Sequence, residues 1–127
     1  MLETLAISWA PRMLSVLRIV AALLFIEHGT TKLFGFPGTA PATLSTLYIA
    51  AALIELVGGV LLTVGLFSRL AAFIMSGEMA FAYFMSHAPR GFFPIVNAGD
   101  AAILYCFIFL YIACAGPGPW SLDAKRR

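Results

Sequence analysis

Glu27, His28, Lys32, Glu55, Glu78, His87 and Asp100 are side chains suited to proton transfer, and each lies inside or at the end of a long apolar run. An ionised group in hydrocarbon costs at least about 3 kcal/mol, so such residues must pair, neutralise or work. Burial tunes carboxyls toward acid-base chemistry, which makes Glu27, Glu55, Glu78 and Asp100 candidates for a proton relay. The same residues are equally candidates for polar glue between helices. Both readings stay open from the residues alone.

The elements that must position them are read from composition and punctuation. The chain has 127 residues, 61% hydrophobic and 11% charged, against roughly 25% charged in a soluble domain. An integral membrane protein is expected, folded as one all-α domain over residues 1–127 and holding four spans with no room for a soluble lobe. The spans fall at about 12–34, 44–65, 69–88 and 97–115. Pro11 suits the first helical position of the first span, and GFPGTAPAT breaks that span after Gly35. Gly65 stops the second span and Ser68 is placed to cap the third, which ends before Pro89. GPGPW ends the fourth. Glu3 and Arg18 disturb any leader-like pattern, so the first apolar segment is read as a retained helix.

Arg12, Arg18, Arg69 and the Lys125-Arg126-Arg127 run fall on the side shared by both termini, whereas Lys32 and Arg90 fall on the other. The positive-inside rule then places N- and C-termini in the cytoplasm and the four-helix transmembrane bundle in a bacterial inner (plasma) membrane, crossed several times. Trp9 and Trp120 at one side, with Tyr48, Phe92 and Phe93 at the other, suit interfacial anchoring. At 1.5 Å per residue, Glu55 and Glu78 lie roughly 15 Å from the cytoplasmic helix ends and Glu27 and Asp100 roughly 22 Å from them.

Local context refines these positions. Ala51, Ala52, Gly58 and Gly59 flank Glu55 on one helical face, so Glu55 is expected to point into protein beside a closely packed helix. Glu78 sits among Met75, Met79 and Met85, a polarizable and adaptable setting. Glu27 and Lys32 are five residues apart and diverge on an ideal helix, so either Gly29 marks local unwinding or the two serve different neighbours. No Glu-x-x-His pair supports a di-metal site, and no haem, flavin or nucleotide motif occurs. Cys106 and Cys114 are about 12 Å apart along one helix and read as packing residues. A net charge of +2 without a basic and aromatic stripe gives no reason to expect nucleic acid.

Three ordered stretches carry a resemblance. LRIVAALLFIEHGTTKLFGF, IELVGGVLLTVGLFSRLAAF and GPGPWSLD together resemble the DoxX family, small four-helix integral membrane proteins, over nearly the whole chain. The matching positions are Arg18, His28, Gly29, Lys32, Glu55, Gly58, Gly59, Arg69, Gly116 and Asp123. The resemblance implies a bacterial membrane protein. It also points toward membrane redox and oxidative-stress assemblies, among them the membrane subunit associated with thiosulfate:quinone oxidoreduction.

The leading expectation is therefore a membrane subunit of a redox complex, facing a quinone, with His28, Lys32 and His87 as quinone contacts and the four carboxyls as proton relay. Electrons would come from a partner subunit or a reduced sulfur substrate. The alternative is a non-enzymatic membrane scaffold or assembly factor whose polar cluster fixes helix packing and partner choice. Solute or proton transport is a weaker third reading, because four short helices leave little room for alternating access. The bilayer and a partner subunit or second copy are the expected partners.

Overall fold

The computed structural model describes residues 1–126, so the last residue of the terminal basic run, Arg127, lies outside the described residues. Every regular element is helical: α1 (Leu2–Phe34), α2 (Thr46–Val64), α3 (Ser68–Ala82), a π-helical turn (Tyr83–His87) and a 3-10 turn (Ala88–Arg90), then α4 (Pro94–Asn97), α5 (Asp100–Ala115) and α6 (Leu122–Lys125). No strand occurs among the described residues. The helices α1 and α2 are each long and apolar enough to cross a membrane, and α5 is a shorter apolar helix.

The packing inverts the pattern of a water-soluble domain. Leu23, Leu53, Val57, Leu70, Phe73, Leu104 and Phe107 are exposed, whereas Ser15, Arg18, Glu55, Ser76 and Asn97 are buried with many alanines. Small residues rather than bulky ones set the contact between α1 and α2. A Cβ on Gly59 would lie 2.5 Å from Ile26 Cγ1, and one on Gly29 would lie 2.8 Å from Leu56 Cγ and 3.1 Å from the Ala52 carbonyl oxygen. These reciprocal approaches bring the two antiparallel backbones close, as membrane helices do where apolar driving force between them is weak. On the far side, Phe25 of α1 meets Phe109 and Tyr105 of α5 at ring-centroid distances of 5.0 and 5.3 Å. Ser76 of α3 donates to the Cys106 carbonyl of α5 at 2.7 Å.

Three boundaries differ from those expected. α1 begins at Leu2, with Pro11 inside it rather than at its first position. Leu2–Ala10 contains no glycine and favours a helix, and Pro11 removes only one N–H from the ladder. Arg12 adds a side-chain bond to the Ser8 carbonyl at 3.2 Å in the same turn. The fourth long helix starts at Asp100 instead of Asn97, because Ala98 takes a left-handed φ of 61° and separates it from α4. The third capping group is not Ser68. Asp123 provides it from far along the chain, its carboxylate accepting the Phe67 and Ser68 amides at 2.9 and 2.8 Å. Gly65 does end α2, with φ 75°.

The end of the molecule that holds both termini is closed by the C-terminal segment. Arg18 is wholly buried there, and its guanidinium donates to the carbonyls of Pro117 and Trp120, the latter at 2.7 Å. Ser15 donates to Pro117 at 3.2 Å and accepts the Trp120 amide at 3.1 Å. Asp123 donates its own amide to the Gly65 carbonyl at 2.8 Å, and Arg69 closes the C-terminus of α5 by donating to Ala113 and Cys114. The charges of this end are therefore used to fasten a loop to helix termini.

Candidate functional site

The opposite end is built around a cavity of about 680 Å³ between α1, α2, α3 with its π-helical turn, and α5. Its wall is mainly apolar, formed by residues such as Ile54, Ile74, Met79, Phe81 and Ala102. The exceptions are charged or aromatic: His28, Lys32, Tyr48, Glu55, Glu78, His87 and Tyr105.

The helical periods explain how these groups meet. Tyr48, Ala51, Ala52 and Glu55 recur at the spacing of one face of α2, and Gly29 lets that face approach α1 closely enough for Lys32 to reach it. Lys32 donates directly to Glu55 Oε2, and its ammonium lies 5.3 Å from the centroid of the Tyr48 ring. α1 runs unbroken through Gly29, so Glu27 and Lys32 do serve different neighbours. Glu55 is wholly buried and its second oxygen has no hydrogen-bond partner. Glu78 stands beside the pair on α3, its carboxyl against that of Glu55, and neither of its buried oxygens receives a hydrogen bond. One ammonium thus faces two carboxyls. The set is electrically neutral when one of the two carboxyls holds a proton, and an unpartnered carboxyl in a cavity is free to give that proton to an incoming group.

His87 is held at the cavity mouth by the π-helical turn, whose wider spacing often accompanies functional sites. Its Nδ1 lies 3.0 Å from the Asn97 carbonyl oxygen, and since a carbonyl only accepts, Nδ1 carries the proton and Nε2 is the basic nitrogen. Its ring stacks on Tyr83 at 20° between planes. Asn97 fixes this corner by donating to the Tyr83 hydroxyl and the Gly91 carbonyl while accepting the Gly99 amide. His28 meets Tyr105 edge-on, with centroids 5.8 Å apart.

Five of the sequence candidates, His28, Lys32, Glu55, Glu78 and His87, therefore line one cavity. Glu27 and Asp100 do not. Glu27 is exposed and borders a second hollow of about 440 Å³, which shares His28, Lys32 and Tyr48 with the first. Asp100 is exposed in the first turn of α5, where a carboxylate faces the unpaired amides of a helix N-terminus. Tyr105 was not foreseen as a wall residue. Its spacing to Ala102 and Phe109 along α5 was the available signal, since all three share the inward face.

The family relationship agrees with this geometry. The sequence pattern of the DoxX family matches residues 13–88, which hold the Lys32–Glu55–Glu78 cluster entire. An uncharacterized protein of Haemophilus influenzae is 48% identical over 124 residues, covering 92% of each chain. No solved structure matches. With a family match across more than half its length, an apolar exterior and two helices long enough to span a bilayer, the chain belongs to the DoxX family of membrane proteins.

Proposed function

We propose that the protein is a multi-pass subunit of a bacterial inner-membrane redox complex and that its cavity receives the head group of a quinone. The observation that carries this reading is an apolar cavity whose charged members converge on one spot, with Glu78 buried and unpartnered there. Apolar pockets with a few placed polar groups are the usual form of a small-molecule site. The length of α1 and α2 and the apolar exterior support a four-helix transmembrane bundle, in which α3 with its π-helical turn and α5 provide the other two spans. The basic residues gathered at the end holding both termini support their cytoplasmic placement.

In this reading Lys32 donates to a quinone carbonyl oxygen, and the Nε2 of His87 accepts from a hydroxyl of the quinol form. Glu78 supplies a proton, and Glu55 holds the Lys32 ammonium in place. Reduction of a quinone to a quinol takes up two electrons and two protons, so the electrons are assigned to a partner subunit and the protons to the outer aqueous side. Glu27, bordering the neighbouring hollow, is placed to collect those protons.

The scaffold reading is favoured by a different observation, the Lys32–Glu55 bond that fastens α1 to α2. Glu78 separates the two readings because no group donates to it and glutamine there keeps the contact with Glu55 while having no proton to give. Protein purified from native membranes in mild detergent is extracted and its quinone quantified by mass spectrometry, with quinone-coupled turnover followed in the membranes. Wild type is expected to carry near-stoichiometric quinone, Lys32→Ala to lose it, and Glu78→Gln to fold normally but lose turnover. Quinone at the level of bulk lipid carry-over in wild type, or full turnover in Glu78→Gln, leaves the scaffold as the function.

A further inference from the structure

At the end opposite the cavity, α1 and α5 diverge and leave a groove of about 540 Å³, floored by the loop at Pro117–Pro119. Its sides are Ile7 and Leu14 from α1 and Tyr111 and Ala115 from α5, an apolar channel between two helices that both face outward. Arg69 stands in its wall, level with the C-terminus of α5. The guanidinium uses only Nη1 within the chain, on the Ala113 and Cys114 carbonyls, so Nε and Nη2 donate to nothing among the described residues. Lys125 follows the lining residue Ala124, whereas Arg12 turns away to the Ser8 carbonyl and the Trp9 ring. Of the acidic groups at this end, Asp123 is committed to the amides of Phe67 and Ser68, and Glu3 lies one turn beyond Ile7 on α1.

We propose that this groove is a binding site for an anionic phospholipid of the leaflet at the termini's side. Its phosphodiester sits on the free edge of Arg69, and the upper part of an acyl chain lies between α1 and α5. A planar guanidinium with two free donors matches two phosphate oxygens, and Tyr111 suits the boundary between head group and hydrocarbon. The charge complementarity selects an acidic head group over a zwitterionic one, because Arg69 stands in the wall with no carboxylate partner among the described residues and an ammonium-bearing head group would be repelled by it. The site rests on the membrane placement proposed above and is independent of the quinone role.

The test is native mass spectrometry of the full chain released from mild detergent after mixing with phosphatidylglycerol or phosphatidylethanolamine of identical acyl chains. Wild type is expected to retain phosphatidylglycerol on the order of tenfold better. Arg69→Gln should bring the two lipids to near parity, whereas Arg69→Lys keeps part of the preference. Because Arg69 also holds the end of α5, Ala115→Trp provides a second arm that fills the groove without touching a charge. It should lower retention of both lipids while circular dichroism and detergent-micelle elution stay as in wild type. Equal retention of the two lipids by wild type overturns the proposal, as does undiminished lipid retention in folded Ala115→Trp or an undiminished phosphatidylglycerol preference in folded Arg69→Gln. Soluble glycerophosphoglycerol is expected not to displace the lipid, and displacement by it would reassign the site to a free phosphodiester.

Discussion

Removing Lys32 isolates the energetics of the cavity most directly. Glu55 is wholly buried and receives one hydrogen bond, from Lys32. Lys32→Met leaves that carboxyl without a donor. Orphaning one partner of a buried ion pair costs about 3 to 5 kcal/mol when the other must stay charged. Here the carboxyl can take up a proton instead, and the membrane-inserted unfolded chain finds partial partners, which draws the expected cost to about 2 kcal/mol. Glu55→Gln orphans the ammonium, yet the Lys32 side chain is 20% exposed and retains some access to water, so its cost is similar or smaller. The double variant removes both charges and leaves only a neutral amide at position 55, which is cheaper to bury than an unpaired ion. It should cost no more than the larger single change, giving a coupling of about 1.5 kcal/mol, near the top of the range for interhelical hydrogen bonds in membranes. The four proteins are to be unfolded in mixed dodecylmaltoside and dodecyl sulfate micelles, with helix content followed by circular dichroism. Effects that add within about 0.5 kcal/mol would refute the reasoning and make the bond a contact without energetic weight.

Two further predictions concern the other end and the helix surfaces. Partial burial works upward on the Asp123 carboxyl but is outweighed by hydrogen bonds from Ser68 and Phe67 and by the Arg126 charge, so its pKa lies below the ordinary value. A depressed carboxyl contributes stability that is complete above its unfolded pKa of about 4 and is lost as pH falls through the lower folded value. Stability measured against pH should therefore show an acid loss below about pH 4 that Asp123→Asn lacks and that the difference between the two curves isolates; the variant gives up about 1 kcal/mol of capping at neutral pH. Gly65→Ala combines a φ of 75° with a Cβ 2.4 Å from Ser121 Cβ and should cost about 2 to 3 kcal/mol in the same unfolding assay. Gly77→Ala meets nothing within 4 Å in the middle of α3 and should be neutral or stabilise by up to about 1 kcal/mol. Equal effects at the two glycines would contradict the packing described.

What the sequence made legible was governed by short-range rules. Gly65 ending α2 and the small face around Glu55 both depend on neighbours within one or two helical turns, and both were readable from spacing. The helix before Pro11 was hidden because a proline at a first position and a proline within a helix look alike when the residues before it are good helix formers. The left-handed Ala98 gave no signal of its own, since it rests on Asn97, whose three bonds reach Tyr83, Gly91 and Gly99. At the site, depth along each helix put Glu55 and Glu78 level with one another, but depth says nothing about direction around the helix or the reach of a long side chain such as Lys32. Glu27 and Asp100, one to two turns further out by that measure, do not line the cavity. The capping of α3 by Asp123 was out of reach for another reason, because it joins positions more than fifty residues apart and no local pattern records it.

The buried Arg18 also constrains how the chain is made. Its carbonyl partners, at Pro117 and Trp120, lie about a hundred residues downstream, so they leave the ribosome after all the helices they lock have been synthesised. Until then the guanidinium has within the helices only the Thr63 carbonyl of α2, at 3.4 Å, and its remaining donors are best satisfied at the water interface. Insertion of the first helix and closure of the finished molecule are therefore separate events in time. Any nascent chain stopped short of Pro117 exposes a cation that quality-control proteases and chaperones can distinguish from the completed protein.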